Sequence, residues 1–513
     1  MNERVPEPRI GTGPTMLTLS DGQNVAASGV TLDSRRVAPG DLWVALPGTR
    51  VHGARFARQA VDAGAVAILT DAEGAEQIRA EGPLTAGDGA EVAVAVSPDP
   101  RRDMAVFASR VHQDPSTTVQ MFGLTGTNGK TTTVHLMAAL LRQVGLRVGT
   151  IGTLGFELDG VRIDQPTSTV TTPESPDLQA MLAQMRDRGA EAVAMEVSSH
   201  ALALNRVDGI EFAGAGFTNL NREHLDFHGT MEEYFEAKAR LFTPHFTHNA
   251  VVHMDDPWAA QLIERARANG LRLRTVGRSE QADYRILPSA PDEFSLQHPG
   301  GTLTVPMRLP GMFNRTNAAI AMALVDGQVV AGQLVTPEAV APALATVDVP
   351  GRMQPVPLGD RAPEAYVDFA HTPESVAAVL SAFTEQRQAG RRVVVVVGCG
   401  GDRDRSKREP MGAAAAQGAD VTIITDDNPR TEDPAAIRAA ALHGARSVNP
   451  DALDVGGRRA AIAEGLRRAG SDGIVVVLGK GHEQGQIVGD EVIPFDDATV
   501  LAESWAQIGT EEL

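Results

Sequence analysis

VQMFGL at Val119–Leu124, followed at once by TGTNGKTT at Thr125–Thr132, decides how this 513-residue chain is read. The first six residues form a short apolar run, as a buried strand requires. The residues after the loop put Val134, Met137, Ala138, Leu141 and Val144 on one face at helical spacing. A strand, a glycine-rich loop and a helix in that order make a cradle for phosphate. The glycines let backbone N–H groups turn inward, and the helix N-terminus adds partial positive charge. Lys130 supplies a mobile full charge, and the Thr131 hydroxyl is placed to ligate Mg²⁺. Gly126, Thr127, Asn128, Gly129, Lys130, Thr131 and Thr132 are therefore the candidate nucleotide contacts. The general phosphate-loop pattern wants glycine at position 124; this chain has Leu124, with Gly123 one residue too early. A glycine turn that merely opens a helix is the plainer alternative, and the flanking strand and amphipathic helix weigh against it.

Outward from the loop the same alternation continues. AVAMEV and AGAGFTN read as further core strands, so the central sheet is expected to be largely parallel with right-handed crossovers. Before it lies a small α/β module, with a helix over ARFARQAVDAGA, a strand over Ala65–Asp71 and a surface stretch near Ala72–Glu91. It ends near Ser116. After it, from about Pro350, come the strand candidates AYVDF, RRVVVVVG, DVTIIT and GIVVVLG, separated by helices. Val-rich runs suit a sheet buried on both faces. QIVGDEVIPF reads as a hairpin turning at Gly489–Asp490. The first fifteen or so residues, rich in proline, glycine and charge, are expected to be mobile.

Composition sets limits. Hydrophobic residues make up 42 % and aromatics 4 %, a mix that suits close helix–sheet packing. A formal charge of −19 disfavours a general nucleic-acid or anionic-membrane binder. The single cysteine, Cys399, excludes an intramolecular disulfide. No apolar run reaches the roughly 18 residues of a membrane span, and MNERVPEPRIGTG lacks the apolar core of a signal peptide. A soluble, cytoplasmic protein is expected, without membrane insertion.

The loop does not stand alone. EVSSH at Glu196–His200, TNLNREHLDFHGT at Thr218–Thr230, EAKARLF at Glu236–Phe242, LPGMFNRTNA at Leu309–Ala318, PGRM at Pro350–Met353 and DFAHTPES at Asp368–Ser375 follow it in order. Together they resemble the Mur ligases, which also use the shorter GxxGKT loop. DSRRVAPGDLWVALPG at Asp33–Gly48 is similar to the first domain of the MurE branch, and the resemblance covers nearly the whole chain after Leu17. It implies an α/β protein of three domains. Residues 1–117 would form a small UDP-muramoyl-binding domain, 118–349 a central ATP-binding parallel-sheet domain, and 350–513 a Rossmann-like amino-acid domain. The implied enzyme is an ATP-dependent ligase of peptidoglycan precursor synthesis, working as a monomer on small molecules and on no nucleic acid. A substrate carboxylate attacks the γ-phosphate of ATP, an acyl phosphate forms, and an amine displaces phosphate.

The resemblance also implies roles. Lys130, Glu196, His224 and Lys238 form the catalytic set. Thr131, Glu196, His224 and an N-carbamoylated Lys238 hold Mg²⁺. Asn314 and Asn317 meet the adenine, Arg352 and Asp368 close over ATP, and His371 is either a further adenine contact or part of the scaffold. Thr171, Thr172, Ser198 and Arg206 hold the muramoyl dipeptide, with Leu204 where some members carry glutamine. Leu32 and Ser34 meet the uracil end. Thr49, Arg50 and Val51 form a second contact loop, although Val51-His52-Gly53 departs from the usual Asp-Gly pair.

TDDNPRTEDP bears on the choice of amino acid. Asp427, Asn428, Pro429 and Arg430 follow a strand, where α/β proteins bind ligands, and resemble the DNPR signature of meso-diaminopimelate-adding enzymes. A guanidinium can hold the far carboxylate that L-lysine lacks. Arg403 in GCGGDRD matches a second carboxylate-binding arginine, and Gly479 and Glu483 in GKGHE match contacts at the far amino-acid centre. By themselves these residues also fit a proline-containing turn. Rival expectations are an L-lysine-adding enzyme, a ligase adding D-alanyl-D-alanine, a folylpolyglutamate synthetase, and a nucleotide-dependent sensor that has lost catalysis.

Overall fold

A computed structural model of the chain describes residues 13–511, apart from 21, 88, 164–169 and 291. The segment expected to be mobile lies mostly outside the described residues. The chain falls into two compact units, Met1–Thr275 with Ala323–Thr336, and Val276–Met322 with Pro337–Leu513.

The first unit opens with a hairpin, Thr15–Thr18 and Asn24–Ala27, and a parallel four-stranded sheet, Gly29–Thr31, Asp41–Ala45, Ala67–Thr70 and Ala93–Val96, in that order. Successive residues of one strand point to opposite faces. Trp43 and Ala45 therefore join a cluster with Ala57, Ala60 and Ile78, while Leu42 and Val44 join one with Met104, Phe107 and Val111 of the helix Pro100–Val111. The expected helix over ARFARQAVDAGA is shorter in fact, a 3₁₀ turn at Gly53–Phe56 followed by Ala57–Asp62.

The larger sheet of this unit runs Val161–Arg162, Gly155–Leu158, Val148–Gly152, Ala192–Glu196, Gln120–Thr125, Phe212–Phe217, Asn249–His253 and Arg272–Gly277. Its centre is parallel, as expected, with Gln120–Thr125 between Ala192–Glu196 and Phe212–Phe217. The edge at Gly155–Leu158 is antiparallel. The helix after the glycine loop spans Lys130–Gln143. Val134, Met137, Ala138 and Leu141 are buried as anticipated, but so are Leu136 and Leu140, so this helix is enclosed on more than one face. Val144 lies at its C-cap.

The second unit contains an antiparallel meander, Tyr284–Leu287, Glu293–His298 and Gly301–Pro306, which the sequence reading did not anticipate. Its main sheet runs Gln354–Pro355, Glu364–Asp368, Ile474–Leu478, Val393–Cys399, Val421–Asp426 and Leu453–Asp454, parallel except at the first strand. Val393, Val395 and Val397 pack with Val379, Met411 and Ala441. Val394 and Val396 pack with Ile462, Leu466 and Leu501 on the other face. Each fully buried valine contributes about 1.5–3 kcal/mol of transfer free energy, so the Val-rich run holds helices to both faces. The hairpin Gly485–Val488 and Glu491–Pro494 turns at Gly489–Asp490 as expected.

Candidate active site

The glycine loop of the first unit is shaped by the strand end beside it. Gly126 has φ of +146°, and a β-carbon there would strike the Thr218 hydroxyl, so only glycine fits. Asn128 N–H donates to Asn219 Oδ1 at 2.9 Å, and Thr218 Oγ1 and Asn219 Nδ2 both donate to Asn128 O, at 2.6 and 2.9 Å. Thr127 N–H donates to Asn219 O at 2.9 Å. The TNLN segment is thus the scaffold of the loop. Gly129 caps the helix, and Lys130 Nζ curls back onto Gly126 O and Thr127 O at 2.8 and 2.9 Å.

Glu196 ends the neighbouring strand and is buried. Its Oε1 accepts from Thr131 Oγ1 at 2.9 Å and Thr153 N–H at 2.8 Å. A β-carbon at Gly152 would stand 2.3 Å from Oε1, so the carboxylate lies directly on that backbone. Thr172 Oγ1 donates to Glu196 O at 2.9 Å and meets Ser198 Oγ at 3.3 Å; Thr171 Oγ1 is 3.3 Å from Thr153 Oγ1. Arg206 donates to Thr172 O through Nη1 and to Glu174 Oε1 through Nε, both at 3.0 Å. Of the four residues read as holding the dipeptide, Thr171 meets Thr153 beside the Glu196 carboxylate, Thr172 joins the Glu196 carbonyl to Ser198, and Arg206 joins Thr172 to Glu174.

Lys238 is 2 % exposed, with Nζ donating to Gly126 O at 2.8 Å and lying 4.5 Å from the Tyr234 ring centre. Burial, reinforced by Lys130, pushes its amine well below the ordinary lysine range. His224 has φ of +56°, and its ring is 4.9 Å from that of His200. Burial lowers His224, with Glu223 opposing and Lys130 and Lys238 assisting. Burial, with His224 and His228 adding to it, takes His200 down to about 4. Neutral imidazoles keep a lone pair available to a metal. Hard oxygen donors on Thr131 and Glu196 suit Mg²⁺, which keeps several water or phosphate ligands of its own. Among the described residues no three His, Cys, Asp or Glu side chains group closely enough to cage a metal. The Thr131 and Glu196 oxygens, 2.9 Å apart, are of the kind such an ion takes.

In the small first domain, Ser34 Oγ donates to Gln59 Oε1 at 3.4 Å and Leu32 is partly buried. Thr49, Arg50 and Val51 are exposed on a loop closed by the Pro47–His52 bridge. His52 accepts from Ala54 N–H at Nδ1 and meets Asp71 Oδ1 through Nε2 at 3.1 Å. The departure from Asp-Gly thus places a buried histidine that anchors the loop.

In the second unit, Asn314 and Asn317 lie buried on the helix Met312–Val325, with Asn314 Nδ2 donating to Pro310 O at 2.8 Å. Asp368 uses both oxygens internally, accepting from Met353 N–H at 2.7 Å and Ala370 N–H at 2.8 Å. Burial raises its carboxyl and Arg352 opposes that rise. The Arg352 guanidinium carbon sits 4.7 Å from the Phe369 ring centre, and His371 Nδ1 is 2.8 Å from Phe369 O.

The loops after three parallel strands of that unit converge. A β-carbon at Gly400 would lie 3.1 Å from Arg430 Nη1 and 3.8 Å from Arg403 Cγ, and one at Gly479 would lie 2.5 Å from Asp427 Oδ2. Arg430 has φ of +51° and donates from Nη1 to Gly401 O at 2.7 Å; its Nε and Nη2 make no hydrogen bond among the described residues. Arg403 is exposed. Asp427, Asn428 and Pro429 are buried and shape the loop from within. Asn428 Nδ2 donates to Glu483 Oε2 at 2.7 Å.

Three family models cover most of the chain: "Mur ligase family, catalytic domain" at 26–112, "Mur ligase middle domain" at 124–325, and "Mur ligase, glutamate ligase domain" at 351–481. A relative from Streptomyces avermitilis is 43 % identical over 495 residues, 94 % of each chain. It is named UDP-N-acetylmuramoyl-L-alanyl-D-glutamate–2,6-diaminopimelate ligase. The chain belongs to the Mur ligase family. A Streptomyces coelicolor relative with the same name is 42 % identical, covering 97 % of both chains. A solved structure of an enzyme so named matches with a TM-score of 0.67 at 32 % identity, covering 94 % of this chain and 96 % of that one. The α/β fold with three Mur ligase domains is that of the family.

Sequence reasoning missed several residues that hold this Mur ligase's site together. Thr153 fixes Glu196 from the turn after Val148–Gly152, which carries no motif, so nothing in the sequence pointed to it. Glu174 takes Arg206 on one oxygen and Arg101 of the first domain on the other, at 3.0 Å. Its place two residues after Thr172 was the available signal. Lys480, inside GKGHE, was passed over between two residues that were singled out. Among the described residues, no helix of this Mur ligase is long and apolar enough to cross a membrane.

Proposed function

We propose that this Mur ligase joins meso-2,6-diaminopimelate to the D-glutamate γ-carboxylate of UDP-N-acetylmuramoyl-L-alanyl-D-glutamate, converting ATP to ADP and phosphate. The observation that carries the choice of amino acid is Arg430. Its guanidinium stands at the carboxyl end of a parallel strand with one edge uncommitted, beside Arg403. A far carboxylate suits that edge; the far end of L-lysine, an ammonium, does not. The names of the two Streptomyces relatives agree.

In the first step a carboxylate oxygen of the substrate bonds to the γ-phosphorus and the bond to ADP breaks. In the second, the amine nitrogen bonds to the acyl carbon, the carbon–oxygen bond to phosphate breaks, and the amine loses a proton. The chain's part is to hold two anions together. Lys130 and the N–H groups of Gly126–Thr132 take the phosphates. Arg206, Thr171, Thr172 and Ser198 orient the dipeptide, and Leu32, Ser34 and Thr49–Val51 take the UDP end. Asn314, Asn317, Arg352, Asp368 and His371 serve ATP, and Arg403, Asp427–Arg430, Gly479 and Glu483 serve the amino acid. Thr131, Glu196, His224 and Lys238 would hold Mg²⁺, which supplies charge neutralisation at the transferring phosphoryl group. Lys238 would do so as a carbamate, formed when its amine adds to CO₂ with loss of a proton. A buried ammonium beside Lys130 is costly; a carbamate there reverses the sign of the charge.

We assign residues 1–117, 118–349 and 350–513 to the UDP, ATP and amino-acid functions. The enzyme is placed in the cytoplasm, where ATP and nucleotide-linked precursors meet, and as a monomer, because one chain supplies every proposed site residue. Phosphate release from ATP, with UDP-linked acceptor and diamino acids added in turn, tests the assignment. Turnover with meso-diaminopimelate supports it; turnover with no diamino acid overturns it.

A further inference from the structure

Lys480 has no exposed surface, yet it carries a full charge into the loops that the proposed function gives to the amino acid. Its Nζ donates to Gly485 O at 2.5 Å, Glu483 Oε2 at 3.2 Å and Asn428 Oδ1 at 3.4 Å. Three N–H bonds therefore meet three acceptors. Those acceptors come from the GKGHE loop, the hairpin after it and the DNPR loop. Burying an ammonium costs stability unless it is fully paired, and an apolar side chain of similar volume would serve the core as well. What the charge adds is geometry. Asn428 Oδ1 accepts from both Lys480 and Ile487 N–H, the latter at 2.9 Å, which turns its Nδ2 toward Glu483. Glu483 spends Oε2 on Lys480 and Asn428, while Oε1 has no partner among the described residues and the side chain is 35 % exposed.

We infer that Lys480 is a positioning residue for amino-acid selection, fixing Glu483 with Oε1 presented to the ammonium of the incoming diamino acid. This rests on the proposed function for the site and deepens it. Lys480 also sets the charge balance. It adds a positive charge to loops that also carry Arg403 and Arg430. Positive charge there favours meso-diaminopimelate, which has the extra carboxylate, over cationic L-lysine.

The test uses full-length Lys480→Met, Glu483→Gln and the double variant, each checked by thermal melting. kcat/KM is measured for meso-diaminopimelate and L-lysine, and KM for ATP and the UDP-linked acceptor. Lys480→Met is expected to lower kcat/KM for meso-diaminopimelate by roughly tenfold or more through KM. The ratio over L-lysine should fall and KM for ATP and the acceptor should stay unchanged. In the Glu483→Gln background the same change should add less than about threefold, because residues acting through one another are non-additive. An unchanged ratio, full additivity, or an equal loss toward all three substrates overturns the inference. If Lys480→Met does not fold, Lys480→Gln carries the same comparisons. A wild type that uses neither diamino acid overturns the functional assignment instead, and one that uses L-lysine overturns the role of Arg430 while Lys480 is tested on L-lysine.

Discussion

Thr131 Oγ1 and Glu196 Oε1 lie 2.9 Å apart, joining the first turn of the helix after the phosphate loop to the end of the adjacent strand. The two oxygens are held from opposite sides, Thr131 by its helix and Glu196 by Thr153 and the bare backbone of Gly152. Replacing Glu196 with glutamine keeps the shape and removes the charge. The variant is expected to lose activity on the order of 100-fold and to need more Mg²⁺ for half-maximal rate. A Mg²⁺ titration of ATP turnover checks this; an unchanged titration would remove Glu196 from the metal site.

Lys238 sits against Gly126 O in the same loop. Lys238→Ala is expected to abolish most activity and to regain part of it when a short carboxylic acid is added, since a free carboxylate can stand where the carbamate did. Mass spectrometry of the native wild type should show the added CO₂. Full activity of the variant without added acid counts against carbamoylation.

Arg430→Ala is expected to cut kcat/KM for meso-diaminopimelate by roughly thirty- to a thousand-fold, about 2–4 kcal/mol for one charge-assisted contact. KM for ATP should barely change. Measuring both diamino acids in wild type and variant decides it. A wild type preferring L-lysine, or a variant that keeps full preference for meso-diaminopimelate, shows that another element selects the amino acid.

Arg458 and Asp497 form a pair with no exposed surface. Nε and Nη2 reach the two carboxylate oxygens at 2.7 and 2.6 Å, and Nη2 also donates to Leu478 O. Asp497→Ala leaves the guanidinium uncompensated and should cost about 3–5 kcal/mol. Denaturant unfolding of the full chain reads the loss as a lower midpoint; a midpoint equal to that of wild type refutes it.

Glu432 is held down to about 2 from an ordinary 4.5, chiefly by the Arg408 guanidinium and then by Asp402 N–H. Its folded value lies below its unfolded one, so the stabilisation is complete above pH 4.5 and fades as pH falls toward 2. The unfolding midpoints of wild type and Glu432→Gln should differ at pH 6 and converge below pH 4.5. A difference that does not vary with pH would separate Glu432 from that linkage.

The sequence by itself determined the parts that depend on neighbours in the chain. The loop Gly126–Thr132 is legible because a strand, two glycines and a helix start are consecutive, and the Val393–Val397 run because burial on both faces demands unbroken apolar residues. The order of motifs named the family, and with it the roles proposed for Glu196, His224 and Lys238. Only the tertiary structure decided which side chains lock those residues in place. Thr153 reaches Glu196 from 43 positions away, Asn428 meets Glu483 across 55, and Arg458 meets Asp497 across 39. Hydrogen bonds of that kind leave no periodicity or composition behind, because they depend on where sheet order sets the strand ends. The lone lysine inside GKGHE reads as an ordinary loop charge until the DNPR loop and the hairpin close over it.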